Sequence, residues 1–188
     1  MKKVFTVVIG ISLVSAAFMF QGCNKLKALL QYDLYYTTAD ATFTIYAIQD
    51  TIMHTGVGAT TVNINVDSFI KANTSNQLDL SSIKHAYLES CTMNLTNADS
   101  TNNFANFKTC AASFSTDLNS SVVTIGTITN NPDVFASSIV VPIDSTIDYA
   151  TYLGAHTISY SVDGKARRFT TTSLTGHITL KFKIHVQG

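Results

Sequence analysis

Residues 176–186 read Gly-His-Ile-Thr-Leu-Lys-Phe-Lys-Ile-His-Val. Ile178, Leu180, Phe182, Ile184 and Val186 share one parity; His177, Thr179, Lys181, Lys183 and His185 share the other. Successive side chains of an extended strand point to opposite faces, so this stretch is a strand with one apolar and one wet face. The same alternation recurs upstream. Val62, Ile64 and Val66 are in phase, as are Ile158, Tyr160 and Val162, then Cys91, Met93 and Leu95, and Cys110, Ala112 and Phe114. Further strands are predicted at 32–37, 42–48, 122–128, 138–143 and 166–172. These runs are rich in Thr, Val, Ile, Phe and Tyr, which suit a pleated, half-buried surface.

Turn signals separate the runs. Asp163-Gly164 predicts a hairpin turn, Asn130-Asn131-Pro132-Asp133 a loop, and Gly56 with Gly58 a loop after His54. Two short helical turns are expected, one over 69–72 capped by Asp67 or Ser68, the other capped by Ser145, running through Tyr149 and Tyr152 and ending at Gly154. A third candidate covers 25–30. About nine strands with regular turns predict an all-β fold: an antiparallel β-sandwich, immunoglobulin-like or related, with one or two short helices. Outer faces of Thr, Ser, Asn, Lys and His do not suit a membrane-spanning barrel.

The 188 residues are enough for one ordinary domain. Hydrophobic residues make up 46% and charged residues only 13%, so apolar surface is sufficient for a core. Twelve basic and twelve acidic side chains cancel, and the basic excess of a nucleic-acid binder is missing.

Lys2 and Lys3 precede an apolar run from Val4 to Phe20, and Gln21-Gly22-Cys23 follows. A positive start, an apolar middle and small residues at the cut are the layout of a secretory signal. The run is marginal for a membrane span, which takes about 20 residues. Gly22 and Cys23 make this segment resemble a bacterial lipoprotein signal. That resemblance implies cleavage of residues 1–22, acylation of Cys23, a tether at 23–31 and a folded domain over 32–188. Several acyl chains, at about 0.8 kcal/mol per buried CH2, would hold the protein on a bilayer. Asn24 in place of Asp implies, by the same resemblance, the outer membrane. Without Lys2 and Lys3 the chain keeps ten basic residues against twelve acidic ones.

The tail carries a second resemblance. Tyr152-Leu153, Ile158-Ser159-Tyr160, Ser173-Leu174-Thr175 and the closing strand, with Asn102-Asn103-Phe104-Ala105-Asn106-Phe107 upstream, look like small envelope lipoproteins of Bacteroidota. It implies a β-sandwich on a lipid anchor and carries no activity with it.

With Cys23 lipidated, Cys91 and Cys110 remain. If their segments pair antiparallel about the polar loop 97–103, the two positions fall opposite each other. A bridge closing a loop of about 20 residues would contribute about 3 kcal/mol in an oxidising compartment. The alternative is two buried, reduced thiols.

Motifs for chemistry are sparse. The five His (His54, His85, His156, His177 and His185) form no His-x-His or His-Glu-x-x-His pair, so no metal site is expected. No Gly-x-Ser-x-Gly elbow is present, and Glu89, the only Glu, is expected to face solvent or pair with Lys. Arg167 and Arg168 are the only Arg, too few for a spread anion clamp. Tyr32, Tyr35 and Tyr36, and Tyr149 with Tyr152, are candidate sugar- or protein-binding aromatics, or core-capping residues. Asp50-Thr51-Ile52, Asp99-Ser100-Thr101 and Asp144-Ser145-Thr146 resemble the short O-glycosylation pattern of exported Bacteroidota proteins, which implies glycans on Thr51, Ser100 and Ser145. The expectation is a non-enzymatic, lipid-anchored envelope protein without cofactor, acting as a structural or protein-interaction module. The alternative is a carbohydrate-binding module of the envelope. The partners expected are the membrane through Cys23, then another envelope protein or a glycan, and no nucleic acid.

Overall fold

The computed structural model describes residues 29–52 and 54–188. The leader, Cys23 and most of the candidate turn at 25–30 lie outside them. Among the described residues nine strands form in chain order: β1 (Gln31–Thr37), β2 (Ala41–Ile45), β3 (His54–Asn63), β4 (Ile83–Leu95), β5 (Phe107–Thr116), β6 (Val123–Ile128), β7 (Ser138–Val141), β8 (Thr157–Ala166) and β9 (Leu174–Gln187). One helix, α1 (Val66–Asn73), lies between β3 and β4. The strands build an antiparallel β-sandwich. The larger sheet runs β1-β9-β4-β7, with β2 also on β9; the smaller runs β3-β8-β5-β6.

Strand β9 is the centre of the larger sheet. Its C-terminal half pairs with β1, from Gln31 opposite Gln187 to Thr37 opposite Lys181. Its N-terminal half pairs with β2, and β4 runs along its other side. The alternation read from the sequence holds throughout: Ile178, Leu180, Phe182, Ile184 and Val186 are fully buried. They pack between the sheets with Leu88, Cys91 and Met93 of β4 and with Cys110, Phe114, Ile158 and Tyr160 of the opposite sheet. Burial of a side chain of this size contributes roughly 1.5–3 kcal/mol, so this layer dominates the stability.

Several local expectations are corrected. Chain neighbours mostly change sheet, and β5–β6 is the only consecutive pair that hydrogen-bonds among the described residues. Hence β4 and β5, expected to form a hairpin with Cys91 opposite Cys110, lie in different sheets. Both cysteines are free and buried in the core. Asp163-Gly164 is not a turn; it lies inside β8. A β-carbon at Gly164 would sit 2.7 Å from the Thr109 carbonyl oxygen, beside an irregularity of β5, so the glycine serves close backbone approach. Gly56 and Gly58 lie within β3, at its own register shift, rather than in a loop. Residues 167–172, expected within a strand at 166–172, belong instead to the loop between β8 and β9.

The helical turns also moved. Asn65 caps α1 by accepting from the Ser68 N–H at 2.9 Å, so the helix begins ahead of the expected caps. Asp67 instead pairs with Lys71 at 2.6 Å and accepts from the Leu80 N–H. The second turn is a short 3-10 segment, Ala150–Tyr152. Asp148 rather than Ser145 accepts from its Ala150 N–H, because Asp148 lies two residues away while Ser145 is exposed upstream. Among the described residues no helix is long and apolar enough to cross a membrane.

Candidate interaction surface

The strand registers gather four loops at one end of the sandwich: 46–52, 96–106, 129–137 and 167–173. Residue 31 lies at the opposite end of β9. Fourteen residues of strand separate the two ends by about 45 Å.

The loop end is held by buried asparagines. Asn131 Nδ2 donates to the carbonyls of Phe104 (2.7 Å) and Phe107 (3.1 Å). Asn106 Nδ2 donates to the carbonyls of Thr101 (3.0 Å) and Phe169 (2.9 Å), which ties two loops together. Asn102 accepts from the Thr171 N–H at 2.7 Å and donates to the Asp99 carboxylate. Asn103 and Asn106 form a reciprocal cap around the turn Phe104–Asn106. The Asn102-Asn103-Phe104-Ala105-Asn106 motif is therefore a loop-organising device. A hydrogen bond from Asn102 Nδ2, and then the backbone N–H groups of Asn102 and Thr101, hold the Asp99 carboxyl below its ordinary 3.8.

Two arginines add a clasp. Arg167 donates to the carbonyls of Ala105 (2.7 Å) and Asn131, and Arg168 pairs with Asp133. Both guanidiniums are thus engaged in joining loops 129–137 and 167–173. On this fixed base stand three large apolar side chains: Val134, Phe135 and Phe169 are 68%, 56% and 60% exposed. Ordered backbone with uncovered aromatics is the make-up of a binding patch. Sequence reading missed these residues. Phe169 fell in an expected strand, and Phe135 in a short link between turn and strand. The adjacent Arg167-Arg168 pair, which interrupts the apolar alternation, was the usable signal.

The outer face of the larger sheet is charged but internally paired. His185 and His85 stack at 6.5 Å between ring centroids, each held at Nδ1 by a carboxylate, Asp33 (2.9 Å) and Asp148 (2.8 Å). His177 pairs with Asp40 at 2.7 Å and His156 lies 3.8 Å from Asp117. Glu89 pairs with Lys181 at 3.3 Å, one of the two arrangements expected of it. No group of three or more metal-ligating side chains converges among the described residues.

The tyrosine clusters divide. Tyr35 is exposed, with Lys181 Nζ 4.9 Å from its ring centre, while Tyr32 and Tyr36 turn toward the core. Tyr149 is fully buried against Phe114 and Phe182, so the second cluster is packing rather than a binding surface. The three candidate acceptors share one local geometry. Asp50, Asp99 and Asp144 each accept from the N–H two residues on, and the middle residue is exposed at Ser100 and Ser145 and half-buried at Thr51.

Burial pushes the thiols of Cys91 and Cys110 up to about 12, so neither carries thiolate at neutral pH. Iodoacetamide is expected to label neither in the native protein and both after denaturation without reductant. Labelling in denaturant only after reduction would establish a bridge in place of the free thiols.

No family model matches the chain, and no curated protein does. Solved structures match at low similarity. The infectious bursal disease virus Gt strain structure aligns over 83% of this chain and 33% of its own, with 8% identity and a TM-score of 0.39. The capsid of Helicobacter pylori bacteriophage KHP30 aligns over 85% and 100%, with 11% identity and a TM-score of 0.36. A secreted protein of Eubacterium rectale aligns over 82% and 40%, with 12% identity and a TM-score of 0.36. The chain spans about a third of the length of the viral protein.

Proposed function

We propose that this chain is a non-enzymatic envelope lipoprotein, anchored through Cys23 in the outer membrane, that presents its loop end to a protein partner. The observation that carries the reading is the exposed Val134, Phe135 and Phe169 on loops fixed by buried asparagines and the arginine clasp. A preorganised patch loses little entropy on binding, and aromatic anchors supply most of the energy of such contacts. The placement of that patch also favours display. The described chain begins beside the far end of β9, so a lipid at Cys23 holds the molecule by one end and directs the other away from the bilayer. Thr51 and Ser100, which lie in loops of that distal end, and Ser145 are the proposed glycan acceptors.

Two variants test the two halves of the proposal. Cys23→Ser is expected to move the protein from the membrane fraction to the soluble fraction. A photo-crosslinker at position 135 is expected to yield a discrete protein adduct in cells. Phe169→Ser in the same chain should reduce that adduct at least tenfold without moving the melting temperature, since both side chains are exposed. A Cys23→Ser protein that stays with the membrane sinks the anchor. An absent adduct, or one insensitive to Phe169→Ser, sinks the docking surface.

A further inference from the structure

We propose that a groove at the seam between the two sheets, beside Tyr46, holds one neutral sugar residue of a glycan. This goes beyond the docking surface and uses none of its residues.

The groove encloses about 430 Å³ and is lined by β2, β3 and β8. A volume of that order falls in the range of small-molecule sites, roughly 300–1,000 Å³. Its floor is the ring of Phe43, which is 3% exposed. The ring reaches this position because Gly58 faces it; a β-carbon there would lie 2.8 Å from ring Cδ2. The wall is Tyr46, 78% exposed and far beyond the exposure of an aromatic that caps a core. The apolar C–H face of a pyranose packs on such a ring, as apolar groups do on aromatic faces generally.

The rim is polar; Thr42 is bonded to His177 Nδ1, and the rest is uncommitted. Thr44, Ser161 and Asp163 have no side-chain hydrogen bond or ion pair to any described residue. Asp163 is the only one of the twelve acidic side chains in that condition, for every other one has a hydrogen-bond or ion-pair partner. A free carboxylate accepts hydrogen bonds from two adjacent hydroxyls, and charge-assisted bonds of that kind are about twice as strong as neutral ones. Among the described residues no Lys, Arg or His lines the groove, so none of them offsets a negative charge on the ligand. An exposed ring, a free carboxylate and two hydroxyls around an apolar floor match a neutral, polyhydroxylated ring with one apolar face.

The experiment is saturation-transfer NMR on the full chain in detergent, with glucose, galactose, mannose and N-acetylglucosamine offered singly at millimolar concentration. At least one sugar is expected to receive saturation at its ring protons. Tyr46→Ala and Asp163→Asn should each weaken its binding at least tenfold with an unchanged melting temperature. Phe169→Ser should leave it unaltered, which separates this site from the docking surface. The proposal falls if none of the four sugars gains saturation, or if either groove substitution leaves the affinity as it was.

Discussion

Asn131→Ala is expected to destabilise the sandwich by about 3 kcal/mol. The substitution removes both donors that reach the carbonyls of Phe104 and Phe107 in a buried setting. Each buried acceptor left without its partner costs about 1–3 kcal/mol, and no water replaces the amide without entering the loop cluster. For a domain of this size 1 kcal/mol shifts the melting temperature by about 2–4 °C, so a fall of about 10 °C is expected. Asn130→Ala is the control, because Asn130 is exposed. Thermal unfolding by circular dichroism decides the matter. A loss under about 2 °C for Asn131→Ala would mean that the loops are held by something other than the asparagine bonds.

Gly176→Ala is expected to cost a comparable amount through overpacking. Gly176 is buried on β9, and the ring of Phe43 lies across it. An added β-carbon would fall 2.3, 2.5 and 2.8 Å from three ring atoms, Cζ, Cε2 and Cε1. Gly58 on β3 backs the same ring, 2.8 Å from where a β-carbon of its own would lie. Overpacked cores lose about 1–3 kcal/mol, and three simultaneous clashes put this site at the upper end. Phe43→Leu removes the clashing ring atoms and should restore part of the loss. The double variant is then less destabilised than the sum of the singles by at least about 1 kcal/mol. Strict additivity would show that Gly176 is not reserved for the ring.

The larger sheet was legible because burial on one face forces a period of two, and β9 displays five apolar residues in that phase. What could not be read was partner choice. Hairpin signals such as Asp163-Gly164 describe local backbone freedom, and here the freedom serves the approach of Thr109 rather than a reversal. The Cys91–Cys110 pairing failed for the same reason: it assumed that chain neighbours are sheet neighbours, whereas β4 and β5 lie in different sheets. The charged face of β9 announced itself in Lys181, Lys183 and His185, but its pairing with Asp33 and Glu89 depends on register. Phe135 and Phe169 were the least legible. An apolar residue in the sequence predicts burial, and only the folded loops show that these two are left uncovered.

The order of synthesis gives β9 a further consequence. This strand is the common partner of β1, β2 and β4, yet it is the last of the nine strands in chain order. Gln31 finds its partner only at Gln187, so β1 waits for a strand more than 140 residues further on. Loops of that length close slowly, and topologies dominated by distant pairings fold in milliseconds to seconds. Until β9 has been made, the larger sheet lacks its central strand. The larger sheet is therefore expected to close only when β9 docks between β4 and the β1–β2 edge.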